Sequence, residues 1–167
     1  DFIFFNKFFK SINENKCTYF AGVPSHYNIL LRKSNIKNSK LPTLKHFLQA
    51  GGRLDNNSLL AFANLFPQAK FFVMYGQTEA SPRMSYLPSE YSISKLGSVG
   101  IAIPGGKFSL LDGNSEVITK HETVGELIYE GSNVSMGYAL NGKDLAKNDE
   151  NNGILKTGDM AKRDLDS

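Results

Sequence analysis

The feature that most narrows the fold is LLAFANLFPQAKFFVMYG, residues 59–76. Leu59, Phe62, Ala63 and Phe66 recur at i, i+3, i+4 and i+7, the spacing of one buried helix face. The Asp55–Ser58 cluster supplies cap residues ahead of that face. Pro67 then stops the helix, and KFFVMY, residues 70–75, follows as an apolar run short enough for a buried strand. Tyr19–Val23 is a second such strand, closed by Pro24, with Ser25 read as the cap of a helix through His26–Arg32. Buried strands alternating with helical crossovers predict parallel strands in an α/β fold. LKHFLQA, residues 44–50, fits strand and helix equally well.

The texture changes at Gly97. Four of the fifteen glycines precede it and eleven lie from there on, so short strands between turns replace long crossovers. KFSLLD (107–112), SEVIT (115–119) and GELIYEG (125–131) are the strand candidates, with a hairpin turn at Asp112–Gly113–Asn114. The expected architecture is therefore α/β: part of a mixed or parallel sheet with flanking helices over residues 1–96, then a small antiparallel sheet or distorted barrel over 97–167.

A chain of 167 residues is long enough to bury about 70% of its unfolded surface in one domain or two lobes. Its net charge of +3 is spread among Asn, Ser and acidic residues instead of lying in basic blocks, which gives no nucleic-acid signal. Cys17 is the single cysteine and cannot form an internal disulfide, and no apolar stretch approaches the ~20 residues of a membrane span. These features predict a cytoplasmic protein. The opening DFIFFNKFFK lacks a basic start and a small-residue cleavage site and is not expected to be a targeting peptide; Phe2, Phe5, Phe8 and Phe9 fall at helical spacing, which suits the buried face of a helix. The first residue is Asp, and we expect a piece of a longer protein.

Several familiar chemistries are not supported. GIAIPGGK, residues 100–107, imitates a phosphate loop but has one glycine too many, and Phe108 stands where a magnesium-holding Ser or Thr belongs. Pro104–Gly105–Gly106 is read as a turn. His26, His46 and His121 share no metal-ligand spacing with one another or with Cys17, and no Gly-x-Ser-x-Gly elbow occurs.

What remains is MYGQTEASPRMSYLP, residues 74–88, at the end of a buried strand, where α/β sheets commonly bind ligands. Alone it reads more readily as a polar turn after a strand. It stands, however, in an ordered set with AGGRL (50–54), GSVGIAIPG (97–105), GELIYEGSNVSMGY (125–138) and GILKTGDMAKRD (153–164). Together, from VPS at 23–25 to TGD at 157–159, these stretches resemble the adenylate-forming superfamily of acyl- and aryl-CoA synthetases, luciferase-type enzymes and peptide-synthetase adenylation domains.

The resemblance implies a role for each part of the set. Tyr75 would stack on adenine, with Gly51, Gly52 and Arg53 on the other side of the base and Met74, Gly76 and Gln77 completing the nucleotide contacts. The Thr78 hydroxyl would donate to the α-phosphate, Glu79 would offer Mg²⁺ the hard oxygen it prefers, and Asp159 would accept from both ribose hydroxyls. Thr78 and Glu79 would thus carry the catalysis. Ala50, Gly51, Met74, Gly76, Ala80 and Ser81 would border the acyl pocket. The GELIYEG and MGY stretches would be mainly structural. One departure is Val73, where many members place an Asn or Gln that meets the adenine amino group.

The implied reaction uses ATP and Mg²⁺ to turn a carboxylic acid into an acyl-AMP, then passes the acyl group to a thiol of CoA or of a carrier protein's phosphopantetheine. The family's Lys-ending phosphate loop is expected upstream of residue 1, and its lysine-bearing C-terminal domain beyond Ser167. A fragment without them is expected not to adenylate. The rival reading is a non-catalytic nucleotide-binding or interaction module that keeps the fold.

Overall fold

In the computed structural model, which describes residues 5–166, helix α1 (Phe5–Glu14) opens the chain. Phe9 and Ile12 are buried on its inner side, and Phe5 and Phe8 pack against the same core; Phe2 lies outside the described residues. Strand β1 (Tyr19–Gly22), helix α2 (Pro24–Lys33), strand β2 (His46–Gln49), helix α3 (Asn56–Leu65) and strand β3 (Lys70–Gly76) follow in alternation. β1 pairs with β2, and β2 with β3, both parallel. The ambiguous segment 44–50 is therefore strand at its centre. Its Phe47 lies in register between Phe20 and Phe71, and parallel ladders on both sides satisfy the backbone.

That register places Phe20, Phe47 and Phe71 in one row across three strands. Tyr27 of α2 meets Phe71 at 5.4 Å and Phe62 at 4.9 Å between ring centroids, and Phe62 of α3 and Phe66 at its C-terminal cap meet Phe47 at 5.4 and 5.0 Å. Both crossover helices thus cover the same side of the sheet, as consecutive right-handed crossovers require. Tilted and edge-on aromatic pairs of this kind each add about 0.5–1.5 kcal/mol beyond the area they bury.

The helix starts show how local chemistry sets the boundaries. Asp55 caps α3, its Oδ1 accepting from the Ser58 N–H at 2.9 Å, as expected. At α2 the expected Ser25 cap is corrected. Pro24 takes the first helical position, Val23 becomes the cap residue, and the Val23 N–H donates to His26 Nδ1 at 3.4 Å. Proline's fixed φ and missing N–H suit that first position, so the helix begins before Ser25 instead of at it.

Strands β4 (Arg83–Leu87) and β5 (Ile101–Ala102) extend the sheet in the order β1-β2-β3-β4-β5. A second sheet of three antiparallel strands, β6 (Lys107–Leu111), β7 (Val124–Glu130) and β8 (Ile154–Lys162), takes the place reserved for a small sheet or barrel. The turn at 112–114 is present, with Asp112 Oδ1 accepting from the Asn114 and Glu116 N–H groups at 2.8 and 2.9 Å. SEVIT beyond it adds only an isolated bridge, Leu111 to Val117, and not a strand. After Pro104–Gly105–Gly106 the chain enters β6 directly, so the phosphate-loop imitation has no helix behind it.

The chain divides into two compact units. One comprises the chain through Tyr75 with Ser85–Ile101, the other Gly76–Met84 with the chain from Ala102 onward. The aromatic core belongs to the first. The second buries Leu110, Leu127, Ile128, Tyr129, Val134 and Leu155 around its three strands. Among the described residues no helix is long and apolar enough to cross a membrane.

Candidate functional site

In the first unit, Gln49 at the end of β2 is in register with Val73 of β3. The residues just beyond that pair therefore emerge at one carboxyl edge: Ala50–Arg53 after β2, and Met74–Tyr75 closing β3. Gln49 is buried and donates Nε2 to the Gly52 carbonyl at 2.5 Å, which fixes the turn that carries Gly51 and Gly52. Met74 is buried, Tyr75 half-buried and Arg53 exposed, with the Arg53 guanidinium beside Gly97.

In the second unit, the chain leaves β3 through Gly76 into a tight reversal. A Cβ at Gly76 would stand 1.8 Å from the Pro82 carbonyl oxygen, a distance no side chain tolerates. Glycine is thus imposed by the loop's return path and not by flexibility. Thr78–Ala80 form a 3-10 turn closed by the Ala80 and Ser81 N–H groups donating to Gln77 and Thr78 carbonyls at 2.9 and 3.2 Å. Ser81 follows with φ 58°, a left-handed conformation that a serine holds only under constraint from its surroundings. Thr78 and Ser81 are exposed, Glu79 is half-buried and Ala80 is fully enclosed.

Asp159 is displayed by an irregularity in β8. Glu126 pairs with Met160 and Ile128 with Lys156, so Thr157, Gly158 and Asp159 together oppose Leu127 alone. This β-bulge is closed from within: Thr157 Oγ1 donates to the Leu127 carbonyl at 2.7 Å and accepts from the Asp159 N–H at 3.1 Å. Gln77 Nε2 then donates to the Thr157 carbonyl at 2.8 Å and to Asp159 Oδ2 at 3.0 Å. The loop after β3 and the TGD bulge, 82 residues apart in sequence, are joined through one amide.

Glu79 is held twice. Its carbonyl accepts from the Ser135 N–H at 2.7 Å, and its Oε1 accepts from the Tyr138 hydroxyl. The Tyr138 hydrogen bond holds the Glu79 carboxyl below the ordinary glutamate range, and the same bond raises the Tyr138 phenol. An ionised carboxylate of this kind, with Tyr138 engaging one of its two oxygens, fits a magnesium ion that takes one protein carboxylate and completes its shell with water and phosphate. It does not fit an all-protein metal cage, since among the described residues no three His, Cys, Asp or Glu side chains gather.

The residue set read from sequence is thus carried in two groups, Ala50–Arg53 with Met74–Tyr75 in one unit and Gly76–Ser81 with Asp159 in the other. Sequence reasoning passed over Asn133 and Tyr138. Tyr138 belonged to a stretch read as mainly structural; the residue is 69% exposed and its hydroxyl meets Glu79. No spacing could have revealed a pair 59 residues apart.

The fold is of the α/β class, a five-stranded sheet with crossover helices and a separate three-stranded antiparallel sheet. A family model described as AMP-binding enzyme matches residues 2–139, and the chain belongs to that family. Over 146 residues it is 28% identical to the D-alanine–D-alanyl carrier protein ligase of Lactiplantibacillus plantarum, covering 86% of this chain and 28% of that protein. A putative acyl-CoA synthetase of Bacillus subtilis, YngI, is 27% identical over 158 residues, 94% of this chain and 29% of its own. Among solved structures, VinN superposes with a TM-score of 0.77 at 29% identity, covering 94% of this chain and 40% of its own. The o-succinylbenzoate CoA synthetase MenE of Bacillus subtilis, in complex with its acyl-adenylate intermediate OSB-AMP, gives a TM-score of 0.78 at 25% identity over 97% of this chain and 32% of its own. The chain therefore spans less than a third of the length of these two curated relatives.

Proposed function

We propose that the protein containing this chain is an AMP-forming ligase that activates a carboxylic acid with ATP and hands the acyl group to a thiol. The observation that carries the reading is the Gln77 amide, which ties the YGQTE loop to the TGD bulge and so brings a hydroxyl, two carboxylates and a turn of backbone under one constraint. The names of the relatives, ligases and synthetases that use CoA or a carrier protein, support the same reaction class.

In this reading the Tyr75 ring takes the adenine face, with Gly51, Gly52 and Arg53 contributing the turn beside it. Val73 has no hydrogen-bonding side chain, so backbone groups such as the Met74 carbonyl answer the adenine amino group. Thr78 donates to the α-phosphate, and Asp159 accepts from the ribose hydroxyls. Glu79 would hold Mg²⁺, which when bound neutralises phosphate charge during attack by the carboxylate. Ala50, Gly51, Met74, Gly76, Ala80 and Ser81 shape the acyl side. Since the attack needs little covalent help, positioning and charge complementarity by these groups carry the rate. The acceptor thiol, from CoA or a carrier's phosphopantetheine, and a cytoplasmic location belong to the same reading.

Carboxylate-dependent exchange of pyrophosphate into ATP by the full-length protein tests it. Thr78→Val and Glu79→Gln should each slow exchange about 100-fold, the scale of losing one well-placed donor or charge. Exchange absent with every carboxylic acid class tried would leave a non-catalytic nucleotide-binding module as the better description, and exchange unaffected by both substitutions would remove Thr78 and Glu79 from the catalysis.

A further inference from the structure

We propose that Asn133 is a positioning residue for the loop that carries Thr78 and Glu79; this rests on the function proposed above and adds a residue to it. Asn133 Nδ2 donates to the Ala80 carbonyl at 2.5 Å and to the Arg83 carbonyl at 2.9 Å. These two carbonyls bracket the Ser81–Pro82 reversal, where the backbone takes its left-handed step. One amide thus clamps both sides of the sharpest bend in the loop, directly after the 3-10 turn of Thr78–Ala80.

The orientation of that amide is forced. Two backbone carbonyls can only accept, so the NH₂ group must face them, and Oδ1 must face the other way. There the Tyr129 hydroxyl donates to Oδ1 at 2.9 Å. Tyr129 is completely buried in β7, its ring 5.4 Å from that of Phe108 on the neighbouring strand β6. Gly131 makes the approach possible, since a Cβ there would stand 2.7 Å from Asn133 Oδ1 and 2.8 Å from the Tyr129 oxygen. Two residues further on, the Ser135 N–H holds the Glu79 carbonyl at 2.7 Å. A rigid strand therefore sets a phenol, the phenol sets an amide, and the amide sets the loop. Neither Asn133 nor Tyr129 needs to touch a ligand to act in this way.

Asn133→Asp is the informative substitution, because it keeps the shape and puts an oxygen where the donor was. In the full-length protein, kcat for pyrophosphate exchange should fall about 100-fold while KM for the carboxylic acid stays within about twofold, as expected when reacting groups are displaced by about 1 Å. In the ligand-free protein, hydrogen exchange at the Ala80 and Ser81 amides should speed up while the β7 amides keep their protection. A folded Asn133→Asp protein with kcat within about twofold of the unmodified protein would overturn the proposal, even if loop protection were lost, since Asn133 would then be merely structural. If Asn133→Asp does not fold, Tyr129→Phe decides, because it keeps the buried ring and removes only the hydroxyl. It should lower kcat about tenfold with KM unchanged, and an unchanged kcat would overturn the proposal equally.

Thr78→Val and Glu79→Gln, run alongside, separate the two levels. If the unmodified full-length protein exchanges no pyrophosphate with any carboxylic acid class, the function reading fails and takes this one with it. If it does exchange and both substitutions leave that intact, the loop is not catalytic and the positioning role falls while the function stands. If both suppress exchange and Asn133→Asp does not, positioning alone is wrong.

Discussion

Phe62 in the first unit and the loop Gly76–Arg83 in the second are fixed by opposite means. Phe62 is fully buried and lies 4.9 Å from Tyr27, 5.4 Å from Phe47 and 5.9 Å from Phe66, so nothing directional holds it. The loop is largely exposed and is held by directional bonds donated by Asn133, Ser135 and Tyr138 and by the bond that Gln77 donates to Thr157, partners 50 or more positions away. Burial tolerates many apolar side chains of similar volume, whereas a hydrogen bond demands one group at one place. The comparison separates a forgiving scaffold from an exacting site within one chain.

Three substitutions can break or sharpen that contrast. Phe62→Ala should cost the most stability, about 3–5 kcal/mol by chemical denaturation, because a large ring leaves a hole among rings. A loss below about 1 kcal/mol would mean that the core is loosely packed and the contrast overstated. Gly76→Ala comes next, at about 1–3 kcal/mol for forcing a methyl group against the Pro82 carbonyl, but it should abolish pyrophosphate exchange in the full-length protein. Exchange preserved in Gly76→Ala would show that the loop is not exacting after all.

Asp55→Ala is the mildest, about 1 kcal/mol for a lost helix cap. The Ser58 hydroxyl and N–H hold the Asp55 carboxyl below its ordinary range. Because the folded value is depressed, this contribution is complete above the ordinary aspartate value of about 3.9 and disappears as pH falls through the folded one. The stability gap between the unmodified protein and Asp55→Ala should therefore close in acid. A gap independent of pH from neutral down to acid would remove the charge from the account of this cap.

How much could be read in advance follows the same division. Helix α3, strand β3 and the Asp55 cap were legible because each depends on residues a few positions apart. Strand β2 was not, since its four residues match either pattern and only the neighbours in register, Phe20 and Phe71, decide between them. Ser25 failed as a cap because Pro24, one residue earlier, had already met the requirements of the first helical position. Strand β8 was hidden for another reason: Thr157–Gly158–Asp159 reads as a surface turn, and only pairing on both sides of it with β7 makes it a bulge inside a strand. At the site, the types at 75–79 were readable from order among motifs, but the links from Gln77 to Asp159 and from Tyr138 to Glu79 were invisible until the chain was folded.

The bulge in β8 carries one more implication. Between its two register pairs, β7 advances from Glu126 to Ile128, two residues, while β8 advances from Lys156 to Met160, four. Asp159 reaches outward because of this difference in count, with the Thr157 hydroxyl closing the bulge behind it. Substituting the residues around it would leave the count intact, but deleting two would let the strands zip flush and draw the carboxylate back into the ladder. The position of this aspartate is written in chain length, so along this stretch gain or loss of residues is a harsher change than replacement.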